Sequence, residues 1–387
     1  MSKIGIITIV NVNNYGAELQ AFALQHQFTL MGQQAEVINY VFGISPHHDF
    51  NGETLTIPLS FKIRIKRKIL PYIETIIDVF FPKRKKIREY KFNDFHKKYN
   101  QLTSNTYYSV KSLYDGSLNY DIYCVGSDQV WNYQKGYSIL PFLLDFVPKG
   151  KKKIAFASSI GLSSLSEKAN NIFKYYLSDF DALAVRESQA SDMLSKLLHR
   201  KVDVVLDPTL LLTKKEWRKV ADYNLCPKER YLLLYIVTIK PCKYAIELAE
   251  KIAKNRGLKI VRLFRSAATY DSKSSMINLP EAGPSDFVGL IENADFVVTN
   301  SFHGTVFSIN FQIPFYTIIR TGKNTNSRLQ SVLEMLKMED RLLPIGKTFP
   351  EECSWNCSFA DSAIALNEER IKSIGILSES IKLSSKS

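Results

Sequence analysis

Cysteine and histidine are both scarce here, five and six in 387 residues. The cysteines stand scattered at 124, 226, 242, 353 and 357, which excludes a disulfide-built scaffold. Cys353 and Cys357 have three residues between them, but no second Cys/His pair accompanies them, so they read as ordinary reduced cysteines. Long apolar runs are missing too. None approaches the ~18–20 uninterrupted residues of a membrane span. The opening "MSKIGIITIV" lacks the apolar length and small-residue cleavage site of a signal peptide. The expectation is a cytoplasmic chain. Nor is there a Walker motif, a Gly-x-Gly-x-x-Gly after a strand, a His-Glu-x-x-His or a Gly-x-Ser-x-Gly elbow. The motif-based cases for a P-loop enzyme, a dinucleotide enzyme, a zinc peptidase and an α/β-hydrolase fall with them.

What is present is length, apolar content and positive charge. A chain of 387 residues exceeds what one core usually holds, so two domains are expected. A 45% apolar content is enough to build them. The net charge of +13 invites nucleic acid, an anionic membrane, or phosphorylated and acidic ligands. Part of the charge lies in the insertion 61–99, "FKIRIKRKILPYIETIIDVFFPKRKKIREYKFNDFHKKY". Clusters Lys62–Lys68 and Lys83–Arg88 flank an apolar and aromatic middle. Over 61–88 that pattern suits the headgroup layer of an anionic membrane, which would make the chain peripheral on the inner membrane face. The competing reading is a pair of solvated helix faces with Phe80, Phe81, Phe92 and Phe95 in the core. Readers of nucleic acid interleave aromatics with cations on a strand platform, and no such motif appears; no nucleic-acid partner is expected.

Apolar strands alternate with helical patterns. Strands at 4–10, 120–126, "KKIAFASSIG", 182–186 and 202–206 make one series. Strands at 231–237, 258–264, 295–299 and "PFYTII" make a second, with helices at 242–256, 304–311 and 325–337. Such alternation predicts parallel pairing in an α/β fold of two doubly wound domains. Residues 1–213 form the first, with the basic insertion 61–99, and 228–345 the second. A C-terminal helix within 355–387 is placed to pack back on the first. Two such domains enclose a cleft between the carboxyl ends of their strands.

Polar residues stand at those strand ends. Asn13, Asn14, Tyr15 and Gly16 follow the first strand, and Ser127, Asp128, Gln129 and Trp131 the strand ending at Gly126. Arg186 and Glu187 end one strand and Asp207 the next. In the second series, "DFVVTNSFHGTVFSI" stops an apolar run at Thr299 and places Ser301, His303 and Gly304 at the start of a helix. A helix N-terminus attracts anions, Ser301 caps it or donates to the anion, and Gly304 permits close backbone approach. His303 then lies beside an anion site with a side chain that can both give and take a proton. "TGKNTNSR" adds Lys323 and Arg328. Each has a plainer reading: Arg186 pairing with Glu187 or Asp181 on the surface, Asp128 and Asp207 as turn residues, Tyr15 as a core aromatic, His303 as a satisfied buried imidazole.

The combination "NNYGAELQAFAL", "VGSDQVWN", "FASSIG", "AVRE", "VVLDPTLLL" and "TNSFHGTVFSI", in order from about residue 4 to 340, resembles the polysaccharide pyruvyl transferase family. The resemblance implies two facing Rossmann-like domains of the GT-B type. It also implies transfer of the enolpyruvyl group of phosphoenolpyruvate to a sugar of a capsular or exopolysaccharide, or of its lipid-linked repeat unit, as a pyruvate ketal. The family histidine maps onto His303 and its Val-Arg-Glu arginine onto Arg186. Some members carry an arginine just before or one residue removed from that histidine; Ser301 and Phe302 stand there in this chain. The implied phosphoenolpyruvate side is Arg186, Ser301, His303, Gly304, Lys323 and Arg328. The sugar side is Asn13, Asn14, Tyr15, Gly16, Ser127, Gln129 and Trp131. His303 is either general acid/base or phosphate stabiliser, and Asp128 and Asp207 are reserve bases. No metal or other cofactor is expected. Two alternatives stay open: a GT-B glycosyltransferase using a nucleotide sugar, and a non-catalytic sugar- or membrane-binding scaffold.

Overall fold

A computed structural model describes residues 1–41, 43, 82–135, 137–237, 242–264, 275–320 and 327–382. Lys323, Phe80, Phe81 and the stretch 61–81 of the basic insertion lie outside the described residues. The first sheet holds β1 (Lys3–Ile7), β2 (Gln34–Val37), β3 (Ile122–Val125), β4 (Lys152–Ser158), β5 (Ala182–Val185) and β6 (Asp203–Val204), in the order β2-β1-β3-β4-β5-β6. Around it lie α1 (Tyr15–Leu30), α2 (Pro82–Tyr99), α3 (Val110–Tyr114), α4 (Glu167–Leu177) and α5 (Ser188–Leu198). Short helices α6 (Pro208–Leu211) and α7 (Lys214–Arg218) lead to the second sheet. That sheet comprises β7 (Tyr231–Ile236), β8 (Lys259–Phe264), β9 (Ile277–Leu279), β10 (Phe296–Thr299), β11 (Phe315–Ile319) and β12 (Leu342–Pro344), ordered β12-β11-β10-β7-β8-β9. Its helices are α8 (Lys243–Arg256), α9 (Pro284–Glu292), α10 (Phe302–Phe311) and α11 (Ser327–Met335), before the final α12 (Ala360–Lys382).

All strand pairs in both sheets are parallel. Every residue of β3, β4, β10 and β11 is buried, because helices cover both faces; hence the unbroken apolar runs in the text. Strand order reverses between β1 and β3 in the first sheet and between β7 and β10 in the second. At such a reversal the flanking connections leave in opposite directions and open a crevice beyond the carboxyl ends. The β10 switch is tied shut at its base, where Val237 N–H donates to Asn300 Oδ1 at 2.8 Å.

The two halves meet over a continuous apolar seam. Tyr15, the first residue of α1, is fully buried rather than offered to a sugar, which corrects the sequence-based expectation. Its ring stacks on Phe287 (centroids 4.9 Å) and Phe92 (5.6 Å) and meets Tyr235 edge-on (5.7 Å). Its hydroxyl donates to Ala282 O at 3.0 Å and accepts from Arg88 Nη1 at 2.6 Å. Arg88 also reaches Pro280 O (3.3 Å), Ala282 O (3.1 Å) and Asn13 O (3.4 Å), with its guanidinium over the Tyr15 ring at 4.6 Å. Counted from the text within a membrane-facing cluster, Arg88 is instead an internal bolt, because only a long cation reaches backbone carbonyls of both halves at once. Lys91, one turn on, pairs with Asp286 at 2.8 Å. Phe92 and Phe95 are buried. Helix α12 returns to the first half: Arg370 Nε donates to Leu210 O (2.8 Å), Ser373 Oγ accepts from Leu206 N (3.0 Å), and Lys152 Nζ donates to Ile381 O (2.6 Å).

The Tyr15 hydroxyl is therefore the smallest test of the seam. Tyr15→Phe leaves the Ala282 carbonyl and the Arg88 guanidinium each short of a buried partner. The expected loss is about 1–3 kcal/mol in urea unfolding; a loss near zero would show that these bonds do not hold the halves together.

Candidate functional site

Five strand ends converge where the two switch points face each other. After β5, Arg186 is 3% exposed, and after β6, Asp207 is 1% exposed. Arg186 Nη1 donates to Asp207 Oδ2 at 2.6 Å. The same oxygen accepts from Ser127 Oγ at 2.8 Å, after β3. Asp207 Oδ1 caps α6, accepting from Thr209 N (3.0 Å) and Thr209 Oγ1 (2.6 Å). His303 approaches from the second half, with Nε2 at 3.8 Å from Asp207 Oδ2, a Coulombic contact too long for a hydrogen bond. Burial alone would raise the Asp207 pKa; the neighbouring His303 and Arg186 outweigh it and hold the carboxyl well below the usual carboxylate range.

Asp128 follows Ser127 with φ +71°, the left-handed region that Asp tolerates better than most residues. The turn is held by Ser159 N donating to Asp128 O (3.0 Å) and by Gln129 N donating to Asp128 Oδ1 (2.7 Å). It aims the carboxylate at the cleft, 3.9 Å from Arg186 Nη2. Burial raises its pKa, but Arg186, then His303 and Arg328, bring it below the ordinary value. Arg328 on α11 is half-buried, and burial with the nearby Arg186 charge pulls its pKa down to about 10. Both guanidiniums lie over Phe302, Arg186 at 4.2 Å and Arg328 at 5.9 Å from the ring centroid. Phe302 thus lets two cations approach one another.

Four nitrogens in this cluster are buried without a hydrogen-bond partner: Arg186 Nε and Nη2, Arg328 Nε and His303 Nε2. A buried donor left unpaired costs about 1–3 kcal/mol, so a cluster of them marks a ligand position. Gly16 sets the imidazole: a Cβ there would lie 1.9 Å from His303 Nδ1. Gly16 therefore serves the histidine side of the cleft.

Several sequence assignments move. Helix α10 begins at Phe302, two residues before the text implied, because Ser301 caps it and accepts from Gly304 N at 3.3 Å. The Gly304 amide is thereby engaged and its Cα packs on Thr299, so Gly304 is not an anion contact. Ser127 is wholly buried against Asp207, which removes it from the sugar side. Trp131 is also wholly buried, its Nε1 donating to Phe142 O at 2.7 Å, so it offers no stacking face. Gln129 is 8% exposed and packs on Gly161, with Oε1 accepting from Asn132 Nδ2 at 3.3 Å. Asn14 caps α1, accepting from Gly16 N at 3.0 Å, while Asn13 keeps an exposed side chain. Glu187 turns inward, its Oε1 accepting from Ser159 Oγ, Ile160 N and Gly161 N at 2.9–3.0 Å. Thr209 has no signal in the text, and Phe302 enters it only as a residue standing where some relatives carry an arginine; an aromatic between the cap and the histidine is the signal for its role here. Among the described residues, no three His, Cys, Asp or Glu side chains gather as a metal ion would need, and no helix is long and apolar enough to cross a membrane.

With this geometry in view, the sequence matches the profile described as Polysaccharide pyruvyl transferase over residues 14–321. The chain belongs to that family. The match includes Arg186, Asp207 and His303 and the strands from β2 to β11. No curated protein matches the sequence. Among solved structures, the UDP-GlcNAc 2-epimerase of Methanocaldococcus jannaschii, in complex with UDP-GlcNAc and UDP, aligns over 98% of this chain and 99% of its own at 12% identity, TM-score 0.50. The E. coli ADP-heptose lps heptosyltransferase II aligns over 96% and 99% at 12% identity, TM-score 0.40. Arabidopsis thaliana UGT89C1 complexed with quercetin aligns over 98% and 94% at 10% identity, TM-score 0.44. At such identities the likeness concerns the fold alone, and that fold is GT-B.

The Arg186–Asp207 pair gives a direct check on the base of the site. Asp207→Asn keeps the shape but strands a buried guanidinium, so the expected loss is about 3–5 kcal/mol in urea unfolding. The folded carboxyl titrates below the unfolded one. Its stabilisation is therefore in place above about pH 4, the unfolded value, and fades as pH falls below it. Wild type should lose stability below that pH more steeply than the variant; a variant within about 1 kcal/mol of wild type would contradict the buried pair.

Proposed function

We propose that this family member transfers the enolpyruvyl group of phosphoenolpyruvate to two hydroxyls of a sugar, forming a cyclic pyruvate ketal and releasing phosphate. The observation that carries the reading is the set of unpaired donors on Arg186, Arg328 and His303. Phosphoenolpyruvate presents a carboxylate and a phosphate, and planar guanidiniums suit both because their paired N–H groups match two oxygens at once. An anion between Arg186 and Arg328 offsets the burial and the Arg186 repulsion that together lower the Arg328 pKa. Arg328 would thus supply, from α11, the cation that some relatives place beside the histidine.

A proton adds to C3 of the enol, and C2 becomes electrophilic. The first sugar hydroxyl attacks C2 and gives up its proton, replacing the one delivered to C3. The C2–O bond to phosphate breaks, the second hydroxyl closes the ring, and its proton leaves with the phosphate. His303 is assigned the proton transfers, since the depressed pKa of Asp128 makes that carboxylate the weaker base. Arg186 and Arg328 stabilise the charge that collects on the leaving phosphate.

The alternative, a nucleotide-sugar glycosyltransferase, would want a free carboxylate in the second half for a ribose. Asp271 lies outside the described residues. Asp286 is committed to Lys91 and the Gly283 amide, and Glu292 to Arg218 and Tyr223, which leaves Glu281, whose Oε2 is buried without a hydrogen bond, as the carboxylate that reading would use. Phosphate release from phosphoenolpyruvate across a panel of sugar acceptors, with product mass recorded, separates the two. Acceptor-dependent release and a ketal mass are expected, falling roughly 10²–10⁴-fold in His303→Ala. No release, with heat protection by a nucleotide sugar and none by phosphoenolpyruvate, would overturn the reading.

A further inference from the structure

A second cavity, of about 390 Å³, opens on the other side of the loop that follows β1. Asn11, Val12 and Asn13 line it, while Gly16, in the first turn of α1, abuts His303. Its chemistry differs from that of the arginine cluster. No Lys or Arg is among its lining residues, whereas four asparagines are: Asn11, Asn13, Asn39 and Asn93. Glu18 and His96, both buried, also line it and face each other, with His96 Nε2 3.0 Å from Glu18 Oε2. A ring stands at each level: Phe92 buried in the wall and Tyr108, 48% exposed, at the rim.

The cavity is pre-formed. Asn11 sits at φ +59° and its Nδ2 donates to Asn39 Oδ1 at 2.5 Å; Asn39 Nδ2 donates to Thr106 Oγ1 at 2.9 Å. Val12 N donates to Glu18 Oε1 at 3.4 Å, and Asn14 N to Val12 O at 2.6 Å. Each amide keeps a further N–H and a further lone pair. Neighbouring amides that both donate and accept match neighbouring hydroxyls, which do the same. A neutral lining gives an anion nothing, and its volume lies in the lower part of the ~300–1,000 Å³ range of small-molecule sites.

We infer that this asparagine-lined cavity binds a neutral sugar unit of the acceptor, other than the one whose hydroxyls react beside His303. The inference rests on the pyruvyl-transfer reading only for the word acceptor; the carbohydrate site stands on its lining. Asn13 is the one residue it shares with the sugar-side residues implied by the sequence, and Glu18, His96, Asn39 and Asn93 are new to it.

The probe is a panel of neutral methyl glycosides (galactoside, glucoside, mannoside and N-acetylglucosaminide), followed by saturation-transfer NMR on the full chain. Asn93→Trp fills the cavity from an exposed position on α2, where a larger side chain leaves the core untouched. At least one glycoside should bind wild type and bind the variant about tenfold or more weakly, while phosphoenolpyruvate affinity is unchanged. Glycoside binding that survives Asn93→Trp, or no binding of any glycoside to wild type, would overturn the inference. Glycoside binding that is lost in the variant, in a protein that binds no phosphoenolpyruvate, would support the cavity and count against pyruvyl transfer alone.

Discussion

The buried pair of Arg186 and Asp207 is the constraint on which the rest of the site depends. Taking both charges out of water costs several kcal/mol per ion, and one contact between them does not offset that. The chain compensates unequally. Asp207 is saturated, with Arg186, Ser127 and both donors of Thr209 on its two oxygens. Arg186 gives Asp207 one end of its guanidinium and leaves Nε and Nη2 without a hydrogen bond, Nη2 facing Asp128 Oδ1 at 3.9 Å. A satisfied acid thus anchors an unsatisfied base. The guanidinium cannot rotate to find other partners without breaking the pair, so its remaining donors point where the strand ends put them.

The seam between the halves makes that arrangement a single site. Arg186 and Asp207 belong to the first half; Phe302, His303 and Arg328 belong to the second. Phe302 lies under both guanidiniums, and His303 rests against the Gly16 backbone. These contacts survive only if α1 and α10 keep their relative positions. Tyr15, Arg88 and Phe92 on one side, and Phe287 and Tyr235 on the other, fix the first. Asn310, reaching Leu212 O at 2.9 Å, and Trp217 against Phe307 at 4.8 Å, fix the second. Apolar packing at the seam and polar chemistry in the cleft are two faces of the same helices. The chain between β1 and the first turn of α1 thus faces a neutral cavity on one side and His303 on the other.

Much of the frame is legible in the sequence, because parallel strands covered on both faces must be written as unbroken apolar runs. "ALAV" ahead of Arg186 and "FVVT" ahead of His303 both mark strand ends, and both residues reach the cleft. Short strands with mixed composition leave no such trace: "QAEV" of β2, "INL" of β9 and "LLP" of β12 are ordered by their neighbours. Direction is the other gap. Tyr15 and Trp131 follow strand ends as the functional residues do, yet both turn into the core, and periodicity over one turn does not say which way a loop residue faces. Arg88 reads as one more lysine-like charge. Its partners Pro280 and Ala282 lie 192 and 194 residues away, and no local pattern encodes them. Asp207 looks like a turn residue before a proline and is one; that it also holds Arg186 is a tertiary fact.

The central claim is that Arg186, Arg328 and His303 hold one anion with the donors they leave unpaired. Calorimetric titration of phosphoenolpyruvate into wild type and Arg328→Gln tests it without requiring the acceptor. Arg328 is half-buried on the last helix to join the site and has no hydrogen-bonded carboxylate at Nε, so its loss should leave the fold intact. A charge-assisted bond is worth about 1.5–3 kcal/mol, so binding to wild type should weaken roughly 10- to 100-fold in the variant. Equal affinity in both proteins, or none in either, would contradict the account.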